Sequence, residues 1–281
     1  VTGGLDRTGD PADSRRPAFY LFLTLAGLVW LTPFGIVVLT GIRSAADIAA
    51  NGTFALPRSF ELSNFTEAWA LGVKSYLVNS LIITAVKVPI GILIAALAAF
   101  SLSTMRFAGR ETMFRLFIIG LIIPVQLTLV PLNLMMTRLD LIDSHVGLIL
   151  LYIGFGLPFH ILVLRGFMLT LPYELVEAAI IDGASWWAVF WRVVLPLARP
   201  ALVALAILDG VATWNEFILA QIFLRSSEKR TLALGVVQFT TEISTAYDLL
   251  AATQCMTIVP VLALYLMFQR YFVQGVAGAV K

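Results

Sequence analysis

Six runs of about 20 or more apolar residues dominate the chain, and a helix needs about that many to cross the hydrocarbon core of a bilayer. They cover roughly residues 18–41, 76–103, 114–137, 146–169, 201–224 and 249–271. The runs are continuous and do not alternate, so helices rather than barrel strands are expected. Composition agrees. Of 281 residues, 59% are hydrophobic and only 13% charged, with mean hydropathy +0.92. That is too little charge to coat a soluble protein of this size. The expected fold is an all-α integral membrane domain with six transmembrane helices.

Ser14-Arg15-Arg16 resembles the start of a twin-arginine signal. The apolar run that follows, 19–42, exceeds the roughly 7–15 residues of a signal core, so it reads as an uncleaved first span. Net charge is +2, from 19 basic and 17 acidic residues, which points away from nucleic acid. A single cysteine, Cys255, excludes an intrachain disulfide and a cysteine zinc site. His145 and His160 are far apart in sequence, so no metal site is expected.

Lys and Arg favour the cytoplasmic ends of spans. Their excess places both termini inside, together with Arg106, Arg110, Arg115, Arg165, Arg192 and Arg199. The expected organisation is a tail at 1–17, then a first span with a long extracytoplasmic loop at 18–75. A five-span core at 76–273 and a short tail at 274–281 follow. The first span reads as a peripheral arm. No internal repeat is evident, which weighs against an inverted-repeat transporter.

One segment of the core, 170–200, does not look like lipid-soluble helix. Pro172 suits a first helical turn, and Glu174 and Glu177 sit at the positive end of the dipole. Asp182-Gly183 ends that helix, with glycine free to take the left-handed conformation. Ser185 caps a second helix over 186–194, which Leu195-Pro196 stops before Pro200 opens the fifth span. Trp187, Phe190, Trp191 and Val194 fall along one side of it. That stripe needs an apolar partner, either the membrane interface or another protein.

The spacing within this hairpin is specific. Glu177-Ala178-Ala179, three residues, Gly183, nine residues, Val193, one residue and Leu195-Pro196 together resemble the EAA loop of ABC importer permeases. That family usually has isoleucine where Val193 stands. Asn79-Ser80, Arg106-Phe107 with Gly109-Arg110, Leu141-Ile142-Asp143-Ser144, Trp214-Asn215-Glu216-Phe217 and the tail from Gln269 resemble the smaller, six-span permease of maltose-type sugar importers. The resemblance runs from about Asn79 to Lys281. It implies the type I permease architecture, with the hairpin as a cytoplasmic coupling helix seated in a groove of a separate ATPase. Glu177, Ala178, Ala179, Asp182, Gly183, Ala184, Trp187, Leu195 and Pro196 would make that contact. The implied partners are a second permease, dimeric ATPase subunits that bind ATP and Mg, and an extracytoplasmic sugar-binding protein. This chain would carry no cofactor of its own.

Polar groups inside spans are costly and tend to face a cavity or another helix. Asp209, Thr213 and Glu216 share one helical face, about 14 Å (Asp209) to 24 Å (Glu216) from Pro200. Two readings stay open: the acids line a pathway, or they pair with Lys87 and cap neighbouring helices. Trp214 and Asn215 suit a sugar, by ring stacking and by amide hydrogen bonds, although an interfacial tryptophan is the alternative. Gln126 and Asn133 lie beside Pro124 and Pro131, which should interrupt the third span, as Pro158 should the fourth and Pro260 the sixth. Gly91, Ala95, Ala99 and Ser103 form a small-residue stripe suited to close helix packing. His160 reads as a bonded helix residue rather than a ligand.

Three classes compete: a passive importer subunit, a self-contained ion-coupled transporter using Asp209, Glu216 and Lys87, and a membrane enzyme. No Walker-type glycine loop, Gly-x-Ser-x-Gly elbow or His-Glu-x-x-His motif occurs in the sequence, so an enzyme is not expected. The docking hairpin favours the importer. Acids in the fifth span favour a neutral sugar over a phosphate; which sugar stays open.

Overall fold

A computed structural model describes residues 16–240 and 246–279. The twin-arginine-like stretch before Arg16, most of the expected N-terminal tail with Arg7 and Arg15, and Lys281 lie outside these residues.

The first run becomes helix α1 (Arg16–Gly41). The loop after it is organised rather than open. It carries α2 (Ala45–Asn51), capped by Ser44, and α3 (Ser63–Ala68). Arg43 is fully buried and ties the loop together through Asp47 at 2.6 Å and the Gly52 carbonyl at 2.9 Å. One wide turn, Trp69–Val73, with Gly72 at φ 127°, leads into α4 (Lys74–Thr104).

The third run is not one helix. It is α5 (Arg110–Ile119) and α6 (Val125–Arg138), separated by a turn that ends at Pro124. Proline lacks an N–H and pushes its predecessor out of the helical region, so the chain leaves the helix there. Pro131, Pro158 and Pro260, also expected to interrupt, sit instead inside continuous helices. Each forfeits one hydrogen bond, which packing of the surrounding turns outweighs. The fourth run is α7 (His145–Met168), capped by Ser144.

The hairpin follows as α8 (Glu174–Ile181) and α9 (Trp186–Val189). A π-wound turn, Phe190–Val194, carries α9 into α10 (Leu195–Leu197). Leu195-Pro196 therefore does not stop the second hairpin helix. The stop comes at Ala198, where the axis bends by 74° into α11 (Arg199–Trp214). Pro196 sits in the first turn of α10, where its missing N–H is harmless. The fifth run is also broken. After α11, residues 215–217 leave the helix before α12 (Ile218–Phe223). A short α13 (Leu232–Gly235) precedes α14 (Tyr247–Ala279). Among the described residues, Phe19–Gly41, Ser63–Thr104 and His145–Met168 are long and apolar enough to cross a membrane; the bent pair Trp186–Leu197 and Arg199–Trp214 reaches that length only when its two halves are taken together.

The core is built on α4 against α7. Ala95 and Ala99 are fully buried there, and a Cβ on Gly91 would lie 3.6 Å from Ile153, so the small-residue stripe does bring the two helices close. At the hairpin end, Arg165 donates to Glu111 at 2.8 Å and to the Leu102 carbonyl at 3.2 Å, tying α7 to α5 and α4. Its guanidinium lies 3.8 Å over the Phe114 ring. At the opposite end, Asp143 clamps the loop after α12. Its carboxylate accepts from the Arg225 and Ser226 amides at 2.9 and 3.0 Å, from the Ser226 hydroxyl, and from Lys229 at 3.1 Å. Desolvation alone would raise the Asp143 carboxyl, but the Ser226, Arg225 and Lys229 donors outweigh it and hold it well below the usual carboxylate range.

Candidate functional site: a capped hairpin and a broken span

The hairpin is a built elbow. Gly183 takes φ +84°, in the left-handed region. Its N–H donates to the Ile180 carbonyl at 2.9 Å, and the Ala184 N–H donates to Ala179 at 2.9 Å. This is the Schellman arrangement, which satisfies the last carbonyls of α8 while reversing the chain. The Ser185 hydroxyl then accepts from the Ala188 N–H at 3.3 Å and starts α9. Ala178 and Ala179 matter here as much for their carbonyls as for their small side chains.

The predicted apolar stripe divides. Val189, Phe190 and Val194 are buried with Phe100, Leu164 and Met168, which roots the second helix in the α4–α7 core. Trp187 and Trp191 stay exposed, each with its ring packed against buried Phe190, at centroid distances of 6.1 and 5.1 Å. Trp187 is 60% exposed and Ile181 84%, with Trp186 beside them and Glu177, Ala178, Asp182 and Gly183 also exposed. Leu195 packs half-buried against the core, and Pro196 is exposed. The tip thus offers apolar and acidic groups together, on a base that cannot swing freely. Arg106 lies 5.7 Å over the Tyr173 ring, so the turn between α4 and α5 braces the same base.

The broken fifth span is the second part. Glu216 occupies the break, and its carboxylate accepts from the Leu219 N–H at 2.8 Å and the Ala220 N–H at 3.1 Å. It therefore supplies the cap that lets α12 start anew after the break. Tyr152 of α7 also donates to it. Asn215 is exposed, with its amide on the Val211 carbonyl at 2.9 Å. Trp214 is only 2% exposed and packs among Val73, Tyr76, Leu232 and Phe239, so its ring face is covered. Gln126 is exposed in the first turn of α6. Asp209 is buried and pairs with Lys87 and with His160. The expected polar face thus divides, with both acids bonded within the chain and Asn215 left open.

A profile of the family described as binding-protein-dependent transport system inner membrane component matches residues 87–277, which includes the hairpin and the broken span. The chain belongs to that family. A probable ABC transporter permease, YurM of Bacillus subtilis, is 36% identical over 93% of this chain and 87% of its own length. The diacetylchitobiose uptake system permease NgcG of Streptomyces coelicolor is 33% identical over 99% of this chain and 91% of its own. A solved bacterial ABC transporter, involved in the import of the acidic polysaccharide alginate, has a chain of the same fold. Its TM-score is 0.79 at 23% identity, covering 96% of this chain and 100% of that one. An ABC importer permease of the inner membrane is therefore the class of this protein, and the self-contained ion-coupled reading is set aside.

Several contacts in this permease carry no local sequence signal. The Asp143 clamp, the Arg165 tie and the meeting of Lys87 with His160 and Asp209 join residues far apart in the chain. Asn79, quoted above only for its resemblance, donates to the Glu228 and Arg230 carbonyls at 2.8 and 2.9 Å. Ser80 accepts from the Leu232 N–H at 2.8 Å.

Proposed function

We propose that this permease conducts a neutral sugar or oligosaccharide and pairs with a second, homologous permease to form the pathway. A separate dimeric ATPase, which binds ATP and Mg, docks on the hairpin from the cytoplasm. A sugar-binding protein delivers substrate from outside, and both termini lie in the cytoplasm of a cell whose inner membrane holds the complex. The observation that carries this reading is the hairpin. Ile181, Trp186, Trp187 and Trp191 stand exposed on an elbow whose inner residues are locked into the core. Exposed apolar groups on a rigid base suit a protein groove. The contact set is Glu177, Ala178, Ala179, Asp182, Gly183, Ala184 and Trp187, with Leu195 and Pro196 supporting it from behind. Closure of the ATPase pushes the hairpin, and the bend at Ala198 passes that motion to α11.

Sugar as the substrate class rests on the name of the Streptomyces relative and on the chemistry of the break. Asn215 and Gln126 offer uncharged amides, while Glu216 at the break is an acid that would repel a phosphate. Glu216 shapes the pathway by capping α12, and Trp214 supports that wall from behind. The test is the assembled complex in liposomes, with binding protein and a panel of labelled sugars, amino acids and phosphorylated polyols. ATP-dependent uptake of at least one sugar is expected. Uptake of an amino acid or phosphate compound, with no response to any sugar, would overturn the assignment.

A further inference from the structure

Three helices meet at one carboxylate oxygen. Lys87 of α4 bonds Asp209 Oδ1, and His160 Nε2 of α7 donates to the same atom at 3.0 Å. All three side chains are buried, with residue exposures of 3%, 2% and 7% for Lys87, His160 and Asp209. The bond assigns the imidazole proton to Nε2, because a ring nitrogen facing a carboxylate must donate. The Lys87 ammonium and the Asp209 carboxylate oppose each other's charge, as burial requires. Gly156 makes room for the ring, since a Cβ there would lie 2.9 Å from His160 Cε1.

Stability does not account for such a cluster. Desolvating two charges offsets most of their attraction, and isosteric apolar pairs are often equally or more stable. Its position is more informative. α11 begins one residue beyond the 74° bend that ends the hairpin. Asp209 lies about 15 Å along it. Any tilt or rotation that the hairpin imposes on α11 moves this carboxylate against Lys87 and His160, which stand on different helices. A charge-assisted bond between buried groups has a narrow preferred distance and is costly to leave unmade, so placements of α11 that keep it are favoured over those that part the groups.

We propose that Lys87, His160 and Asp209 are positioning residues that form an intramembrane lock on α11. The lock sets the energy difference between the conformations of the permease and so keeps ATP turnover dependent on the loaded binding protein. This rests on the coupling reading given above.

The test is the double variant Lys87→Met, Asp209→Asn in the assembled complex. It removes both charges with little change of volume and leaves no charge unpaired. The introduced carboxamide still offers an oxygen to His160. Membrane levels should equal wild type. The ratio of ATP turnover with and without sugar-loaded binding protein should fall about 5-fold or more, the lower end of ordinary coupling energies. A ratio at the wild-type value would overturn the lock. So would failure of the double variant to accumulate in the membrane, which would make the cluster a folding element. If wild-type complex itself shows no stimulation by binding protein, the coupling reading fails instead.

Discussion

Trp214 and Asn215 are neighbours in sequence with opposite environments, and the substitutions that test them should diverge. Trp214 is buried against Tyr76 and Phe239, so Trp214→Ala removes core volume. A cost of about 3–5 kcal/mol is expected. Less protein should reach the membrane, and uptake per cell should fall with it. Asn215→Ala touches an exposed amide and should leave protein levels unchanged while uptake per complex falls. Quantitative membrane immunoblots beside uptake rates separate the two; equal rates per complex for wild type and Asn215→Ala would remove Asn215 from the pathway. Helical spacing placed Asp209 and Thr213 on one buried face of α11, but that helix ends at Trp214, so Glu216 falls in the break and off the expected face. Of the two readings left open, pairing and capping is the one the contacts follow, since Asp209 meets Lys87 and Glu216 caps α12; nothing in the run itself pointed to Tyr152 and His160, which lie on another helix. The same limit hid the Asp143 clamp. Its carboxyl is held low, so its contribution is present above the ordinary carboxylate value of about 3.9 and is lost only as pH falls through the lowered one. Asp143→Asn should loosen the loop by about 1–3 kcal/mol, seen as faster hydrogen exchange at the Arg225 and Ser226 amides near neutral pH. Unchanged exchange would leave the clamp without weight.

At the scale of the element, the hairpin was the most legible part of the chain and the broken spans the least. Glycine at 183, serine at 185 and acids in the first turn each carry a local reason, and the elbow follows them. The helix breaks depend on competition. Pro124 wins because the turn after Gly120 lets the chain leave, whereas Pro158 loses inside a helix packed along α4. The break at Glu216 has no proline at all; the carboxylate caps a new helix, which a span-length apolar pattern conceals. The elbow itself can be tested through its backbone. No neighbouring atom lies within 4 Å of a Cβ built at Gly183, so a substitution there acts through φ rather than through a clash. Valine at φ +84° is strongly disfavoured, at a cost on the order of 1–3 kcal/mol. Asparagine tolerates that region far better. Gly183→Val should therefore reach the membrane yet lose the ATPase in pull-downs, while Gly183→Asn should keep it. Equal retention by both variants would mean that the elbow angle does not govern docking.

The whole molecule leaves two apolar surfaces uncovered by its own chain, one for lipid and one at the hairpin. α1 is apolar on all sides and lies along α14, and none of its span window is buried within this chain. The hairpin tip is a second uncovered surface, and the sequence contains no phosphate-binding glycine loop. An ion-coupled carrier would need the opposite arrangement, with self-contained surfaces and acids free to exchange their ions with water. Here Asp209 is bonded to Lys87 and His160, and Glu216 to Tyr152 and the start of α12. Both Glu216 oxygens are engaged, so to take up a proton or a sodium ion this acid would first have to give up bonds that hold helices together, and Asp209 already has its counter-charge in Lys87. The isolated chain in liposomes should accordingly accumulate no sugar under an imposed proton or sodium gradient, and should hydrolyse no ATP. Adding the second permease, the ATPase and the binding protein to the same vesicles should produce uptake that needs ATP and survives collapse of both gradients. Gradient-driven accumulation by the chain alone would mean that these bonds open readily, and that the hairpin is not where the energy enters.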